Sequence, residues 1–503
     1  MNIKEIKTEW DLSPLLKNDN DPEIDKKIEE VKKANHEFIK KWKSRSDYLE
    51  NPEIMKQALD DYERLNRFHG LSGDAGYYFN LRLSQEQANP EIKAKLNKIE
   101  ETEKELMNER QFFALNISKI KKEGQKRFLE YPKLKEYKHF LESNFAWADH
   151  LLSDEEEKIM NLKETVAHDA WERMTSSLIE KEEREILIEG KKEKKNFSEL
   201  SALIKDKDKK IRDEAAVAIN EIFARYAEVA EVEINAIVTN KKINDSLRKF
   251  SRPDSARHLI DDISTETVDA LIESVVSKFN ISKKFYELKV KLFKVDKIKY
   301  YERGVPYGEE RTDHKFEDSV EIVHKTFTKI DKEFAEIFEK FLKNGQVDVF
   351  PKKGRRNGAF CIHQLPTQPT YILLNHNGTM HDVTTIAHEF GHGINAEFMK
   401  KKQNSLNLGT PKSTAEVAST FMEDFIFEEL LQKTSDEQKL AILMEKLADI
   451  VQTIFRQIAF YKFEEEMHLE IRDKGYLSKE QLAEIFKKHM ASYLGDHIDV
   501  SEA

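Results

Sequence analysis

The sequence predicts a mostly α-helical protein with one small β-region, and three observations lead there. Hydrophobic residues make up 39% and charged residues 35% of 503 positions, with only 16 Gly and 11 Pro, a helix-rich balance with too much apolar content for wholesale disorder. Apolar residues recur three and four apart in runs such as "DPEIDKKIEEVKKANHEFIKKWKS" and "IRDEAAVAINEIFARYAEVAEVEINAIVTNKKI", the spacing of one helix face. Only "VDVFPKKGRRNGAFCIHQLPTQPTYILLNHNGTMHD" (347–382) reads as strand-like. A chain this long exceeds what one core usually serves, so subdomains are expected.

From about 21 to 295 the helical pattern is nearly continuous. It breaks at Asn-Pro (51–52 and 89–90), at "EYPKL" (130–134), around "FAWADHLLSDEEE" (145–157) and at "SRPDS" (251–255). No fixed-period repeat points to a solenoid. The charged "EGKKEKKNFSEL" (189–200) separates two helical blocks. It predicts a division into an N-terminal helical lobe (1–200) and a second, catalytic domain (201–503). Loop or short strand follows in "IKYYERGVPYGEE" (298–310), then helices over about 316–343. "TYILLN" (370–375), ahead of the turn signal Asn377-Gly378, predicts a strand. That strand is either an edge offered to a substrate backbone or half of a hairpin packed on helices. Helices then run to the end.

A net charge of −11 argues against a nucleic-acid partner, which needs a basic face. The lysine runs "KKEKKNF" and "KDKDKK" are interrupted by acids and read as solvated. Cys361 is the single cysteine, so neither an internal disulfide nor a cysteine-based zinc cluster can form. With a start lacking an apolar signal segment, the expected location is the cytoplasm. No run of 18 apolar residues is present, so no membrane span is expected.

The chemistry concentrates in "TTIAHEFGHGINAEFMK" (384–400). Asp382 is a suitable N-cap. At 100° per residue Val383, Ile386, Ala387, Phe390, Ile394 and Phe398 share one stripe, while His388 and His392 lie off it, one turn apart. Two histidines at that spacing can offer two nitrogens to a zinc ion, with Glu389 leaning over the metal as a base rather than a ligand. A helix that merely carries two histidines remains the alternative until a third ligand is found. "GTPKSTAEVASTFMEDFIFEELL" (409–431) supplies a candidate, Glu416, with Ser413 or Thr414 as the helix cap and Ala415, Val417, Ala418, Phe421, Phe425 and Leu430 packing inward. A Ser413-x-x-Glu416 capping box would instead spend Glu416 on the backbone. Acids in so apolar a segment favour ligation, because burying an unpaired carboxylate is costly. Glu423, seven residues on, is placed to accept a hydrogen bond from a ligand histidine.

The combination "GRRNGAFCI…QPTYILLNHNGTMHDVTTIAHEFGHGIN…STAEVASTFMED" resembles the oligoendopeptidase F branch of the thimet-oligopeptidase-like zinc peptidases. The likeness extends to "DHLLSDEEEKIM", "KDKDKKIRDEAAVAI" and "FRQIAFYKFEEEMH" and covers most of the chain from about 110 onward. It implies a two-lobed helical ellipsoid with a deep central channel and a small sheet beside an HExxH helix. One zinc ion on the channel floor would serve the cleavage of short peptides. Carried over, His388, His392 and Glu416 match the zinc ligands and Glu389 the base. "QPTYILLN", with Tyr371, would lie beside the substrate backbone, and Gly358 and Ala359 in the loop next to it.

Two departures stand out. Asn395 replaces a non-ligand histidine common in the family. Members also usually continue, beyond the point where this sequence stops, into a segment with a Pro-His pair and a Tyr-rich stretch that stabilises the oxyanion; losing such a donor lowers turnover about 10²–10³-fold. Tyr461 and Tyr493, the remaining late tyrosines, read as packing residues. The resemblance therefore leaves room for a separately encoded C-terminal chain, or for a catalytically impaired peptide-binding subunit. Intact His388, Glu389, His392 and Glu416 favour an enzyme. A zinc carboxypeptidase with a helical HExxH fold is the further alternative, and "AEVASTFMED" argues against it.

Overall fold

The structure is a computed structural model and describes residues 3–308, 314–432 and 434–501. It is mostly helical, with seven short strands among the described residues: β1 (Glu183–Ile188), β2 (Lys191–Asn196), β3 (Ile298–Lys299), β4 (Val347–Asp348), β5 (Phe360–Ile362), β6 (Tyr371–Leu373) and β7 (Ile498–Asp499). The Asn-Pro pairs that break the pattern are helix starts. Asn51 accepts from the Glu53 N–H and Asn89 from those of Glu91 and Ile92, with proline at the first helical position in both, where its missing donor costs nothing.

The chain folds into two compact units, each discontinuous: Met1–Ala148 with Glu310–Lys433, and Asp149–Glu309 with Thr434–Ala503. This differs from the division at 200 that charge patterning suggests. The stretch 189–200 is the tip and second strand of the β1–β2 hairpin, followed by a helix that Asn196 caps in a reciprocal box with Glu199. Glu189 and Gly190 both have positive φ, the conformation of a tight hairpin turn. Ile186 and Leu200 bury against Ala215, Ile219 and Ile222 of the long helix Lys209–Leu247, so no boundary can fall there.

In the first unit, β6 is the central strand, parallel to β4 (Val347↔Ile372) and antiparallel to β5 (Cys361↔Ile372). The expectation of a substrate-pairing edge at "TYILLN" is thereby corrected: both edges of β6 are occupied, and β4 and β5 are the edge strands. The apolar run suits a strand covered on both faces. Tyr371 and Leu373 pack with Trp10, Leu15, Tyr77 and Phe79, while Ile372 and Leu374 pack with Phe327, Phe338, Phe341 and Phe390. The N-terminal segment completes this sheet. Trp10 Nε1 donates to the Ile372 carbonyl (2.8 Å), and the Tyr77 hydroxyl to those of Ile362 (2.9 Å) and Pro369 (3.1 Å). Residues 1–148 are thus built into the same unit as the histidine helix.

The second unit has its own core of Phe279, Tyr286, Phe455, Met490 and Tyr493, and a short parallel pair, β3 with β7. Its helix Gln457–Lys474 holds His468, whose buried Nδ1 has no hydrogen-bond partner among the described residues. Burial, together with Arg472 and Lys241 and against Asp245, lowers its pKa to about 4. Below an unfolded value near 6.5 the unfolded chain binds a proton that the folded chain refuses until about pH 4. Stability is therefore lost as pH falls through that window, by about 2 kcal/mol after allowing for partial exposure. Melting curves from pH 7 to 4 are expected to fall less steeply for His468→Gln than for the wild type; parallel profiles would remove His468 as the cause. No helix among the described residues is long and apolar enough to cross a membrane.

Candidate metal centre

The helix Met380–Lys402 holds the two histidines. Its N-cap is Thr379, not Asp382. The Thr379 side chain accepts from the Asp382 N–H, and the Asp382 carboxylate accepts from the N–H groups of Thr379 and Asn377. Asp382 is the third-position partner of a capping box, because the Asn377-Gly378 turn brings the chain in one turn earlier than expected. The predicted stripe is inside: Val383, Ile386, Ala387, Phe390 and Ile394 are each at most 2% exposed, with Phe398 partly buried beside them. His388 and His392 project from the other side, 29% and 24% exposed.

Glu416 meets them. It lies in the joint between two helices, Lys412–Ala415 and Val417–Leu431. Its Oε2 is 3.3 Å from His388 Nε2 and 3.2 Å from His392 Nε2, and one ligand atom from each of the three residues falls within 4.8 Å of the others. Zinc bonds of 2.0–2.2 Å in a tetrahedron put ligand atoms roughly 3.3–3.6 Å apart, so this donor set fits one such ion. The capping-box alternative falls away, since the Glu416 carboxylate faces the histidines. Glu423 Oε2 lies 3.3 Å from His388 Nδ1, which leaves Nε2 as the nitrogen aimed at Glu416.

The inward face of Val417–Leu431 differs from the one expected. Leu430 is buried as expected, together with Met422 and Ile426, whereas Val417, Phe421 and Phe425 are 65%, 49% and 37% exposed. The helix is apolar all round, so periodicity alone cannot choose its inner face. Contact with the histidine helix chooses it. A Cβ on Gly391 would come within 2.6 Å of Ser419 Cα and 2.7 Å of the Ala418 carbonyl oxygen, and one on Gly393 within 2.9 Å of the Phe341 ring. Both glycines of HEFGHG are there for close approach.

Glu389 is 6% exposed and close enough to His388 and Glu416 to feel the charge of both. Burial raises its carboxyl to about 7, against the pull of His388 and a hydrogen bond from the Cys361 N–H of β5. Burial also lowers His392. For His388 the same burial is outweighed by the Glu423 hydrogen bond and the neighbouring acids, and its pKa is raised.

Of the residues expected beside substrate, Gly358 (φ 76°) and Ala359 lie in the approach to β5. Tyr371 does not fit that role. Its ring is fully buried against Trp10 and its hydroxyl donates to the Asp11 carbonyl (2.9 Å), as the alternation of β6 requires. Sequence reasoning missed the Cys361 backbone contact and Ser419, whose hydroxyl donates to Glu416 Oε2 (2.7 Å). The serine's spacing three residues after Glu416 was the one available signal.

The same arrangement of helices and sheet occurs in solved peptidases. An oligoendopeptidase-F structure from Enterococcus faecium superposes with a TM-score of 0.66 at 18% identity, covering 95% of this chain and 81% of that one. A crystal structure from Chlamydophila abortus gives 0.79 at 22% identity, covering 99% and 83%. The chain belongs to peptidase family M3, whose profile matches residues 202–503; an oligopeptidase F profile matches residues 116–180. Among curated relatives, the oligoendopeptidase F homologue of Borreliella burgdorferi is 26% identical over 98% of this chain and 82% of its own length. Oligopeptidase PepF of Bacillus subtilis is 24% identical over 74% of this chain, which spans 56% of it.

Proposed function

We propose that this chain is a zinc-dependent endopeptidase acting on short peptides. The observation that supports the reading best is the convergence of His388 Nε2, His392 Nε2 and Glu416 Oε2 beside the buried Glu389. His388, His392 and Glu416 would hold one zinc ion. Zinc in such a site supplies Lewis-acid polarisation and acidifies water.

Everything else falls to the protein. Glu389 accepts a proton from the attacking water at its carboxylate and returns it to the departing amine. The Cys361 N–H fixes that carboxylate at the sheet edge. Among the described residues β5 has no strand on its outer side, so an extended peptide can add there by backbone pairing, with Gly358 and Ala359 flanking it. Glu423 holds the His388 ring through Nδ1, fixing its tautomer. Short peptides as substrates follow from the oligopeptidase names of the relatives.

The test is metal content together with cleavage of an internally quenched peptide carrying a free or amidated C-terminus. One zinc per chain and equal cleavage of both peptides are expected. Cleavage confined to the free C-terminus would point to a carboxypeptidase, and a protein that binds no zinc would end the reading.

A further inference from the structure

Glu416 is the most exposed of the three converging side chains, at 61%. It occupies the joint between two helices with φ −90° and ψ 1°. A glutamate so placed has several rotamers open to it, and ordering it costs side-chain entropy. Something must aim it. Apart from the two histidines, the one described residue that hydrogen-bonds its carboxylate is Ser419. The serine Oγ lies 2.7 Å from Oε2, the oxygen that also faces both histidine Nε2 atoms.

The same Oγ lies 3.0 Å from the Glu416 carbonyl oxygen, which further accepts from Thr420 N (3.0 Å) and Thr420 Oγ1 (2.6 Å). The serine has one proton for two acceptors, and the shorter contact gives it to the carboxylate. That hydroxyl is itself fixed: Ser419 is fully buried, at the point where Gly391 lets the histidine helix approach most closely. The serine therefore transmits the position of the histidine helix to the carboxylate that must meet it.

We propose that Ser419 is a positioning residue for the metal centre, holding Glu416 Oε2 toward His388 and His392 before an ion arrives. The inference rests on the zinc reading above. Outer partners of metal ligands typically change affinity 10–100-fold when removed, and that range is expected for Ser419→Ala.

The experiment titrates metal-free wild type, Ser419→Ala and Ser419→Cys with Zn²⁺ against a chromophoric chelator. It also records the visible absorption of the cobalt(II) forms, which a merely structural role would leave unchanged. Ser419→Ala is expected to bind zinc 10–100-fold more weakly, with altered cobalt bands and a metal-free melting temperature near that of the wild type. Ser419→Cys, which keeps a weaker donor of similar size, is expected to fall between them. Wild-type affinity and an unchanged cobalt spectrum in Ser419→Ala would overturn the proposal while leaving the zinc reading intact. Should the alanine variant not fold, wild-type affinity in the cysteine variant has the same force. A wild type that binds no zinc overturns both.

Discussion

Glu389→Gln is expected to bind one zinc ion as the wild type does and to cleave peptides about 10²–10⁴-fold more slowly. The amide is isosteric with the carboxylate, and its oxygen can still accept the Cys361 N–H, so the side chain keeps its place. It cannot take a proton from water. Glu389 is nearly buried and is not one of the three converging ligands, so metal content and turnover should separate. Zinc stoichiometry and kcat/KM, measured on the same preparation, check this. Undiminished cleavage would remove Glu389 as the base, and loss of zinc along with cleavage would make it a ligand instead.

Arg355→Met is expected to destabilise the first unit by about 3–5 kcal/mol. Arg355 and Asp348 are each 1% exposed and paired at 2.8 Å. The guanidinium also donates to the carbonyls of Asp348 and Leu374, both at 2.7 Å, and of Phe350, while Gln85 donates to the other Asp348 oxygen. One side chain thereby joins the end of β4, the end of β6 and the loop leading to β5. Methionine would fill the space but leave a buried carboxylate without its counter-charge and take a donor from three carbonyls, of which that of Asp348 keeps the Leu374 N–H. Lysine keeps the charge without the fork and is expected to recover only part of the loss. Three of the four tryptophans (Trp10, Trp42 and Trp147) lie in this unit, so tryptophan fluorescence in a urea titration reports mainly on it. A midpoint shift worth less than about 1 kcal/mol would show that water or repacking relieves the buried charge.

The histidine helix was legible because its chemistry and its packing lie on opposite sides of one amphipathic pattern. The stripe from Val383 to Ile394 is buried as spacing alone requires, and the motif leaves His388 and His392 together by geometry internal to the helix. Glu416 was singled out as an acid in an apolar segment on the premise that it would be buried, and it is 61% exposed; what stands is its nearness to both histidines. Its helix was not legible: with apolar residues on every side, the choice of Met422 and Ile426 over Phe421 and Phe425 is made by Gly391 pressing on Ser419. β6 was recognisable as a strand from its β-branched and aromatic residues, but its place at the centre depends on β4 and β5, which local pattern does not rank. The division near 200 failed similarly. Charge density marks solvent, and a hairpin tip is as solvated as a linker.

The pairing of Trp10 with the Ile372 carbonyl, 362 positions away, bears on how the protein is made. At about 5–20 residues per second a ribosome takes on the order of 20–70 s to cover that interval. For most of it Trp10, Tyr77 and Phe79 are without the strand they cover, and the second unit's first segment is synthesised in between. The nascent N-terminal region is thus a natural client for a chaperone during translation, and ribosome-bound chains stopped before residue 370 should be more protease-sensitive than chains stopped after 433.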